Sequence, residues 1–467
     1  MNPVPNDAFG IPVAAVDAAP ARLARAWLTL GVGALIGSGL LAVLLVLART
    51  PGIGRMMPSG DFFRAALIVH VDLSVLIWFM AFAAVIWSLA GTARFAALGW
   101  ASVVLAAAGT LLMTVSPFGA DAKPYLNNYI PVLEQPLFFA GLVTAGSGFA
   151  LAIVRALLVI PPAWRANDSG GGTADAGALR VGAWLAAVAG ACAFAGFAAS
   201  WLGVPDAEGQ ARWEMVFWGG GHALQFQHAL LAVVAWFWLA GAMGARIAAG
   251  PRAQVALFAL AALPLAFVPL IYVYWDVGSA FHMANFARLM EVGHPLMLPL
   301  VVFALGAAWQ ARRVSGPARS ALMASLLLFG VGGGLAYLIK GVNVVIPAHY
   351  PGSIVGITLA FMGLAYVLLP RLGYGNADGR MARWQPWVYG GGQLIHILGL
   401  AWSGGYGVQR KVAGAEQVLT TLPQKIGMGM MGAGGLIAII GGVMFVLVCL
   451  KAMLGRRAAQ GAVSPPL

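Results

Sequence analysis

The sequence predicts an all-α membrane protein, a polytopic bundle of twelve transmembrane helices. Of its 467 residues, 61% are hydrophobic and only 9% are charged, and its mean hydropathy is +0.86. A soluble protein of this size needs more polar surface than that. Because only helices satisfy their own backbone polar groups in lipid, and because a helix needs about 20 apolar residues to cross a bilayer, each long apolar run is predicted to be one spanning helix.

Twelve apolar runs meet this length requirement. They cover residues 27–48, 64–90, 97–116, 131–159, 180–203, 216–245, 254–275, 293–311, 319–340, 349–370, 386–404 and 427–452. No internal repeat is visible, and the one linker-like stretch is the Gly-rich segment 166–177. We therefore expect a single membrane domain, residues 25–455, between a short N-terminal tail (1–24) and a short C-terminal tail (456–467).

The charged residues predict the orientation and exclude several classes of protein. Most Lys and Arg residues fall on the cytoplasmic side if the N-terminus is cytoplasmic, which predicts a multi-pass protein of a bacterial-type inner (plasma) membrane with both termini inside. The net charge of +12 lies in the loops, so it indicates contact with lipid headgroups and not nucleic-acid binding. The two cysteines are too few for a disulfide scaffold or a thiolate metal site.

Five of the seven histidines converge on the outer rim of the predicted bundle. They are His70, His222, His282, His294 and His349. An ionisable side chain inside a membrane is a functional-site hypothesis by default. Imidazole ligates both haem iron and non-haem metals, so this rim predicts a metal or haem site. The alternative for each histidine alone is a hydrogen bond to a nearby carbonyl.

Two of these histidines lie beside small residues. His349 opens the stretch 346–363, IPAHYPGSIVGITLAFMG, whose Gly and other small residues predict room for a bulky, flat group. Three glycines precede His222 in the stretch 217–226, FWGGGHALQF. They predict open space beside a ligand, although glycines at such spacing also serve helix–helix contacts.

With these motifs in place, the chain resembles the catalytic subunit of the haem–copper oxidase superfamily, which includes oxygen reductases and nitric oxide reductases. The resemblance implies that His349 ligates a high-spin haem and that His70, in LIVHVDLSVLIWF, ligates a low-spin haem. It also implies that His222 and His282 hold a non-haem metal, copper or iron. The resemblance covers all twelve segments, although only these short motifs are specific.

The first departure from the family concerns the low-spin haem. Pro351 stands where the family has the second histidine of a His-x-His pair, and proline cannot ligate iron. His396, in GGGQLIHILGL, is the candidate substitute. The alternative for His396 is a hydrogen-bonded histidine of the core.

The second departure concerns the non-haem metal. Phe281 stands where the family has the first histidine of a pair, so a third ligand must come from elsewhere. We predict a carboxylate, Glu291, with Asp276 and Glu214 as alternatives on the same side of the membrane. Mixed His/carboxylate ligation suits iron, whereas three imidazoles suit copper.

The residues around the predicted metal favour nitric oxide over oxygen as the substrate. Many oxygen reductases of the family have a tyrosine four residues after the His222 position, where this chain has Phe226. A tyrosine from the next helix, Tyr274, is the candidate replacement for oxygen chemistry, and its alternative role is an interfacial anchor. Glu134 and Asp72, both towards the outer side, are the candidate proton-transfer groups.

The sequence thus predicts a respiratory terminal reductase subunit that converts NO to N2O, or O2 to water. Because no soluble electron-entry domain is encoded, we expect an electron donor on the outer side, either a copper- or haem-bearing subunit or a cytochrome c. A non-catalytic haem-binding relative, a sensor or an assembly factor, is the alternative that Pro351 and Phe281 keep open. A twelve-helix transporter is disfavoured, because repeated halves and a polar site at the midplane are not visible.

Overall fold

A computed structural model describes residues 18–49, 60–119, 122–161, 174–339, 345–408 and 419–455. Within these ranges the chain is helical apart from one short hairpin and the connecting turns. The helices are α1 Ala19–Arg49, α2 Gly60–Val71, α3 Trp78–Ala90, α4 Ala96–Val115, α5 Pro136–Val159, α6 Ala174–Gly203, α7 Gly209–Ala242, α8 Pro251–Ala262, α9 Val268–Tyr274, α10 Ala280–Gly293, α11 Leu298–Gln310, α12 Pro317–Ala336, α13 Val345–Arg371, α14 Arg380–Gly405 and α15 Leu422–Leu454; the strands are β1 Lys123–Tyr125 and β2 Val132–Glu134.

The predicted all-α, multi-pass fold is confirmed. Eleven stretches of helix in the described residues are long and apolar enough to cross a membrane. Some stretches join consecutive helices, as in the span Ala280–Arg313, which contains α10 and α11. The predicted segment 386–404 lies within α14, which is 26 residues long but is not among the eleven apolar spans of the described residues, so the count is eleven where twelve were predicted.

The fourth predicted segment begins later than the sequence suggests. The sequence predicts that a helix begins at residue 131, but residues 132–134 form β2, which pairs antiparallel with β1. Helix α5 begins only at Pro136, because proline lacks the backbone N–H that the first turn of a helix leaves unpaired. The hairpin keeps Glu134 outside the helix, opposite Lys123.

The eighth predicted segment begins earlier than the sequence suggests. Residues 280–292 were expected to form a turn outside the membrane, but they form α10. The Ser279 side chain caps this helix by accepting a hydrogen bond from the backbone N–H of His282, at 3.2 Å. His282 therefore stands in the first turn of a helix, where its side-chain direction is fixed.

The described helices form two compact units. The first contains α1 to α11, and the second contains α12 to α15. In the first unit α3 is buried along its whole length, and α7 is buried along most of it. In the second unit the core is built from α12, α13, α14 and α15, around buried residues such as Leu328, Leu359 and Ile397. The single domain 25–455 stays a prediction.

The span that contains His70 is not a uniform α-helix. A π-helical turn, Asp72–Ile77, lies between α2 and α3 and begins two residues after His70. Its first residue, Asp72, is 1% exposed, and among the described residues neither carboxylate oxygen of Asp72 has a hydrogen-bond partner. Short π-helical turns occur often at functional sites, which is consistent with a site beside His70.

Candidate functional site

Four of the histidines that the sequence singles out are oriented in the same way. In each, the ring Nδ1 lies within hydrogen-bond distance of a backbone carbonyl oxygen. The pairs are His70 with Ser38 (2.8 Å), His222 with Trp218 (2.6 Å), His349 with Gly332 (2.7 Å) and His396 with Met431 (2.8 Å). A carbonyl can only accept, so Nδ1 carries the proton and Nε2 carries the lone pair. Histidines that ligate metals are oriented by this kind of bond.

His70 and its partner form a compact pair between α2 and α1. Ser38 accepts from His70 through its backbone oxygen, and its hydroxyl lies 2.8 Å from the same Nδ1 and 3.0 Å from the His70 carbonyl oxygen. The Ser38 side chain is 3% exposed, whereas His70 is half-buried. The fixed Nε2 fits the axial ligation of haem iron that the sequence predicts for this residue.

In the second unit, His349 and His396 are also half-buried and fixed by their carbonyl partners. His349 is anchored to α12 and His396 to α15, so both rings are held by a neighbouring helix. Pro351 lies inside α13, two residues after His349. The orientation of both histidines fits haem ligation through Nε2, whereas proline offers no side-chain donor.

The glycines near His349 do not leave the open surface that the sequence predicts. A Cβ on Gly352 would collide with Gly332 of α12, and a Cβ on Gly356 would approach the backbone of Phe329 on the same helix at 2.7 Å. These glycines let two helix backbones approach closely. The small residues of the stretch 346–363 therefore serve helix packing at these two positions.

His222 in α7 has a second partner that the sequence did not reveal. The hydroxyl of Tyr129 lies 2.8 Å from Nε2 of His222. Since Nδ1 carries the proton, Nε2 accepts and Tyr129 donates. The two rings are 4.6 Å apart between centroids, and Trp218 contacts both. His222 is 3% exposed, and Tyr129 is half-buried.

Tyr129 reaches His222 because α7 holds the loop 126–130 along one side. The Gln210 side-chain amide donates to the Leu126 carbonyl (3.1 Å) and to the Asn127 side-chain oxygen (2.8 Å). One turn further on, the Glu214 carboxylate accepts from the backbone N–H (3.2 Å) and the side chain of Asn128. These partners on α7, together with Trp218 and His222, recur every four residues and lie on one face.

The three glycines before His222 are each covered by an aromatic ring. A Cβ on Gly219 would collide with the Tyr272 hydroxyl, one on Gly220 with the ring of Phe197, and one on Gly221 with the ring of Tyr129. Aromatic rings therefore occupy the space that the sequence assigns to a ligand. Among them, only Tyr129 also bonds the imidazole of His222.

His282 differs from His222 in its hydrogen-bond partners. It is fully buried, and within the described part of the chain neither ring nitrogen has a hydrogen-bond partner. Its neighbours are the rings of Tyr272 (5.2 Å) and Phe286 (5.0 Å), and Phe286 also contacts His222 at 5.7 Å. A buried imidazole without partners is costly, and a metal ion at Nδ1 or Nε2 would remove that cost. His282 therefore fits the predicted metal.

Glu291, the predicted carboxylate ligand, does not lie beside His282. Glu291 is exposed and follows His282 by nine residues in the same helix, which at about 100° per residue places it on the opposite side. Asp276 is exposed too, and Glu214 holds Asn128. In the described residues, no three His, Cys, Asp or Glu side chains form a group that could hold a metal ion.

The predicted catalytic residues, Tyr274 and Glu134, have partners other than His222 and His282. Tyr274 is 71% exposed. It follows Tyr272 by two residues, so the two side chains leave α9 on roughly opposite sides. Glu134, in β2, accepts a hydrogen bond from Tyr125 (3.2 Å) and pairs with Lys123 (3.8 Å). Both predicted roles stay predictions.

The aromatic residues Phe281, Phe226 and Tyr129 lie in three different environments. Phe281, at the missing histidine position, is 67% exposed. Phe226 is fully buried and stacks on His294, with ring centroids 4.5 Å apart. Tyr129 lies in a loop without a recognisable motif, and the one signal for it was the polar pattern NNY between two apolar runs.

Comparisons with known proteins find relatives of similar sequence and solved structures of similar fold. An uncharacterized protein of Rickettsia prowazekii (strain Madrid E) is 30% identical over 92% of this chain and 96% of its own length. An uncharacterized protein of Aquifex aeolicus (strain VF5) is 24% identical over 77% of this chain and 88% of its own length. A cryo-electron-microscopy structure of a haem-copper terminal oxidase dimer matches with a TM-score of 0.70 and 15% identity, over 96% of this chain and 88% of that one. No protein-family model matches.

Proposed function

Because the chain belongs to the family of the uncharacterized Rickettsia prowazekii protein and has the fold of a haem-copper terminal oxidase, we propose that it is a membrane-embedded haem oxidoreductase that reduces a diatomic gas. The observation that carries this proposal is the common orientation of His70, His222, His349 and His396. Each donates Nδ1–H to a backbone carbonyl, which leaves the lone pair on Nε2, the atom that would bind a metal. Nε2 of His222 accepts from Tyr129 in this structure.

The proposal assigns a role to each histidine. His349 would hold the high-spin haem, and His70 would hold the low-spin haem. His396 would be a further haem ligand, because it is oriented like the other two. His222 and His282 would hold a non-haem metal. When bound, the haem would supply a redox-active iron and a binding position for the gas.

Nitric oxide is the proposed gas. Reduction of two NO to N2O and water needs two electrons and two protons, whereas reduction of O2 also needs cleavage of the O–O bond. Phe226 is fully buried against His294 and has no hydroxyl to donate. Tyr274, the other candidate, is 71% exposed. Consumption of O2 that disappears in Tyr129→Phe would reverse this assignment.

Electron and proton supply are part of the same proposal. The donor would be a copper- or haem-bearing subunit or a cytochrome c on the outer side of a bacterial inner membrane, with both termini of this chain in the cytoplasm. Glu134 lies in the hairpin β1–β2, beside Lys123 and Tyr125, and would be a proton-entry group on the outer side. Tyr274 is the predicted alternative as a redox tyrosine.

The first test is a haem count. We would record the dithionite-reduced minus oxidised spectrum of the purified protein and determine haem per chain by pyridine haemochrome. We expect about two haems per chain, and we expect His349→Ala and His70→Ala each to lose one. His228→Phe is the matched control, because His228 is a buried histidine of α7 with no predicted ligand role. A chain without haem would overturn the proposal.

A non-catalytic haem-binding relative is the second candidate. It is favoured by the exposed side chain of Phe281 and by Pro351, which removes a family ligand. An electrode measurement of NO and O2 consumption with an artificial electron donor separates the two candidates. Haem without consumption of either gas favours the non-catalytic relative, and consumption that depends on His349 favours the reductase.

A further inference from the structure

We propose that Tyr129 is a protein ligand of the non-haem metal, together with His222 and His282. This inference deepens the proposed function and rests on it, since it requires that a metal binds at His222. It replaces the predicted carboxylate, Glu291, by a phenol oxygen from the loop 126–130.

The distance between the two donor atoms suits shared ligation. The Tyr129 oxygen lies 2.8 Å from Nε2 of His222. Two donors that are each about 2.0 Å from a metal ion lie about 2.8 Å apart when the angle at the metal is near 90°. A metal ion can therefore contact both atoms once the Tyr129 oxygen moves off the axis of the Nε2 lone pair. On binding, the phenol O–H bond is replaced by an O–metal bond, and the proton is released.

Tyr129 is held in place by contacts that do not involve the metal. Gln210 and Glu214 fix the two residues before it, and the ring fits against Gly221, where a Cβ would collide with it. The phenol is thus preorganised beside the imidazole of His222. Preorganised ligands lose less conformational entropy when they bind.

His282 gives a second and independent indication of a metal. It is fully buried, and in the described residues both of its ring nitrogens are without partners. It shares the neighbour Phe286 with His222. One more donor is needed to complete a three-ligand set, and Tyr129 is the polar side chain already on His222.

The other nearby phenol is a weaker candidate. The Tyr272 hydroxyl donates to the Gly196 carbonyl (2.9 Å) and lies 2.8 Å from the Ser200 hydroxyl. The hydroxyl proton of Tyr272 therefore already takes part in a hydrogen bond to a backbone carbonyl. In contrast, the Tyr129 hydroxyl donates to Nε2 of His222, the atom that the proposal assigns to the metal.

The donor set indicates which metal is selected. Two imidazoles suit copper, iron or zinc, whereas an anionic oxygen donor shifts the preference towards iron. We therefore expect non-haem iron, with a phenolate-to-iron charge-transfer transition in the ferric state. Three imidazoles would have favoured copper.

The test compares Tyr129→Phe with Tyr125→Phe in the purified, haem-loaded chain. Tyr125 lies on the same hairpin and bonds Glu134 instead of His222. Non-haem iron would be removed by a chelator and restored by titration with ferrous iron, and haem would be counted in parallel. We expect Tyr129→Phe to weaken iron binding at least about tenfold, with haem unchanged, and Tyr125→Phe to bind iron like the wild type.

Resonance Raman spectra of the ferric wild-type protein, grown with ring-deuterated tyrosine, test ligation directly. We expect bands that shift with the label and that are absent from Tyr129→Phe. Unchanged iron affinity in Tyr129→Phe, or label-sensitive bands that persist in it, would overturn the inference. Haem without non-haem iron in the wild type would also overturn it and leave the haem assignment standing, whereas loss of haem from the wild type would overturn the proposed function itself.

Discussion

The glycines beside His222 and the glycines beside His349 serve different purposes. In α7, the surfaces of Gly219, Gly220 and Gly221 are covered mainly by aromatic side chains from other elements. In α13, Gly352 faces the backbone of α12, and Gly332 of α12 faces it in return. The same residue type thus makes room for side chains in one unit and for a helix backbone in the other.

This difference predicts two kinds of response to added volume. An aromatic side chain can rotate or shift by a few tenths of an ångström, whereas a helix backbone can move only together with its whole helix. We therefore expect glycine substitutions in α12 and α13 to act on stability. Substitutions in α7 should act first on the geometry around His222.

The largest effect is expected for Gly332→Ala. Its Cβ would collide with the backbone of Gly352 and Ser353, so α12 and α13 must separate. We expect a loss of about 3 kcal/mol in the free energy of unfolding, visible as a lower melting temperature in detergent. Gly333→Ala is the control, because nothing lies within 4 Å of its Cβ, and we expect it to be neutral or slightly stabilising. Equal melting temperatures for the two variants would contradict the close backbone contact.

The next effect is expected for Gly221→Ala. The new Cβ would push the ring of Tyr129 away from α7 and lengthen its hydrogen bond to His222. We expect a loss of about 1–2 kcal/mol in stability and weaker binding of non-haem iron, with haem content unchanged. Gly241→Ala, in the same helix with nothing within 4 Å, should change neither property. Wild-type iron affinity in Gly221→Ala would show that the position of Tyr129 does not matter.

The spanning helices and their histidines can be predicted from the sequence, whereas the hydrogen-bond partners of the histidines cannot. The spanning helices follow from hydropathy, because lipid contact and burial both require apolar side chains. The histidines that the sequence predicts as ligands stand out for the same reason, since a polar ring is rare in such segments. Their Nδ1 partners, however, are backbone carbonyls such as those of Ser38 and Gly332. Every residue has a backbone carbonyl, so the sequence does not show which one accepts the hydrogen bond.

Tyr129 and Glu291, the two candidates for the third ligand of the proposed metal, differ in how far the sequence could place them. The sequence predicts a turn between the apolar runs 254–275 and 293–311, which leaves the positions of Glu291 and His282 relative to each other undefined. In the structure they share α10, and nine residues of helix separate them onto opposite sides. Tyr129 is brought to His222 by contacts of its loop with Gln210 and Glu214. Such contacts do not produce a repeating pattern in the sequence, so they could not be predicted from it.

A smaller effect is expected for Glu214→Gln. The carboxylate accepts from the backbone N–H and the side chain of Asn128, and an amide oxygen accepts such bonds less strongly. We expect the loop 126–130 to open more easily by about 1 kcal/mol, so its amide hydrogens exchange about fivefold faster. Glu208→Gln removes the same charge from an exposed residue at the start of α7 and should leave exchange unchanged. Equal exchange in both variants would mean that Glu214 does not hold the loop.

The smallest effect distinguishes the two tyrosines of α9. Tyr272→Phe removes the donor to the Gly196 carbonyl and the partner of Ser200, and we expect a loss of about 1 kcal/mol. Tyr274→Phe alters a side chain that is 71% exposed, and we expect a change of less than about 0.5 kcal/mol. Thermal unfolding measures both, and an electrode measures gas consumption. If Tyr274→Phe abolishes gas consumption while stability is unchanged, Tyr274 is a catalytic residue in spite of its exposure. The reaction would then take place at Tyr274 and not beside the aromatic rings that cover Gly219, Gly220 and Gly221.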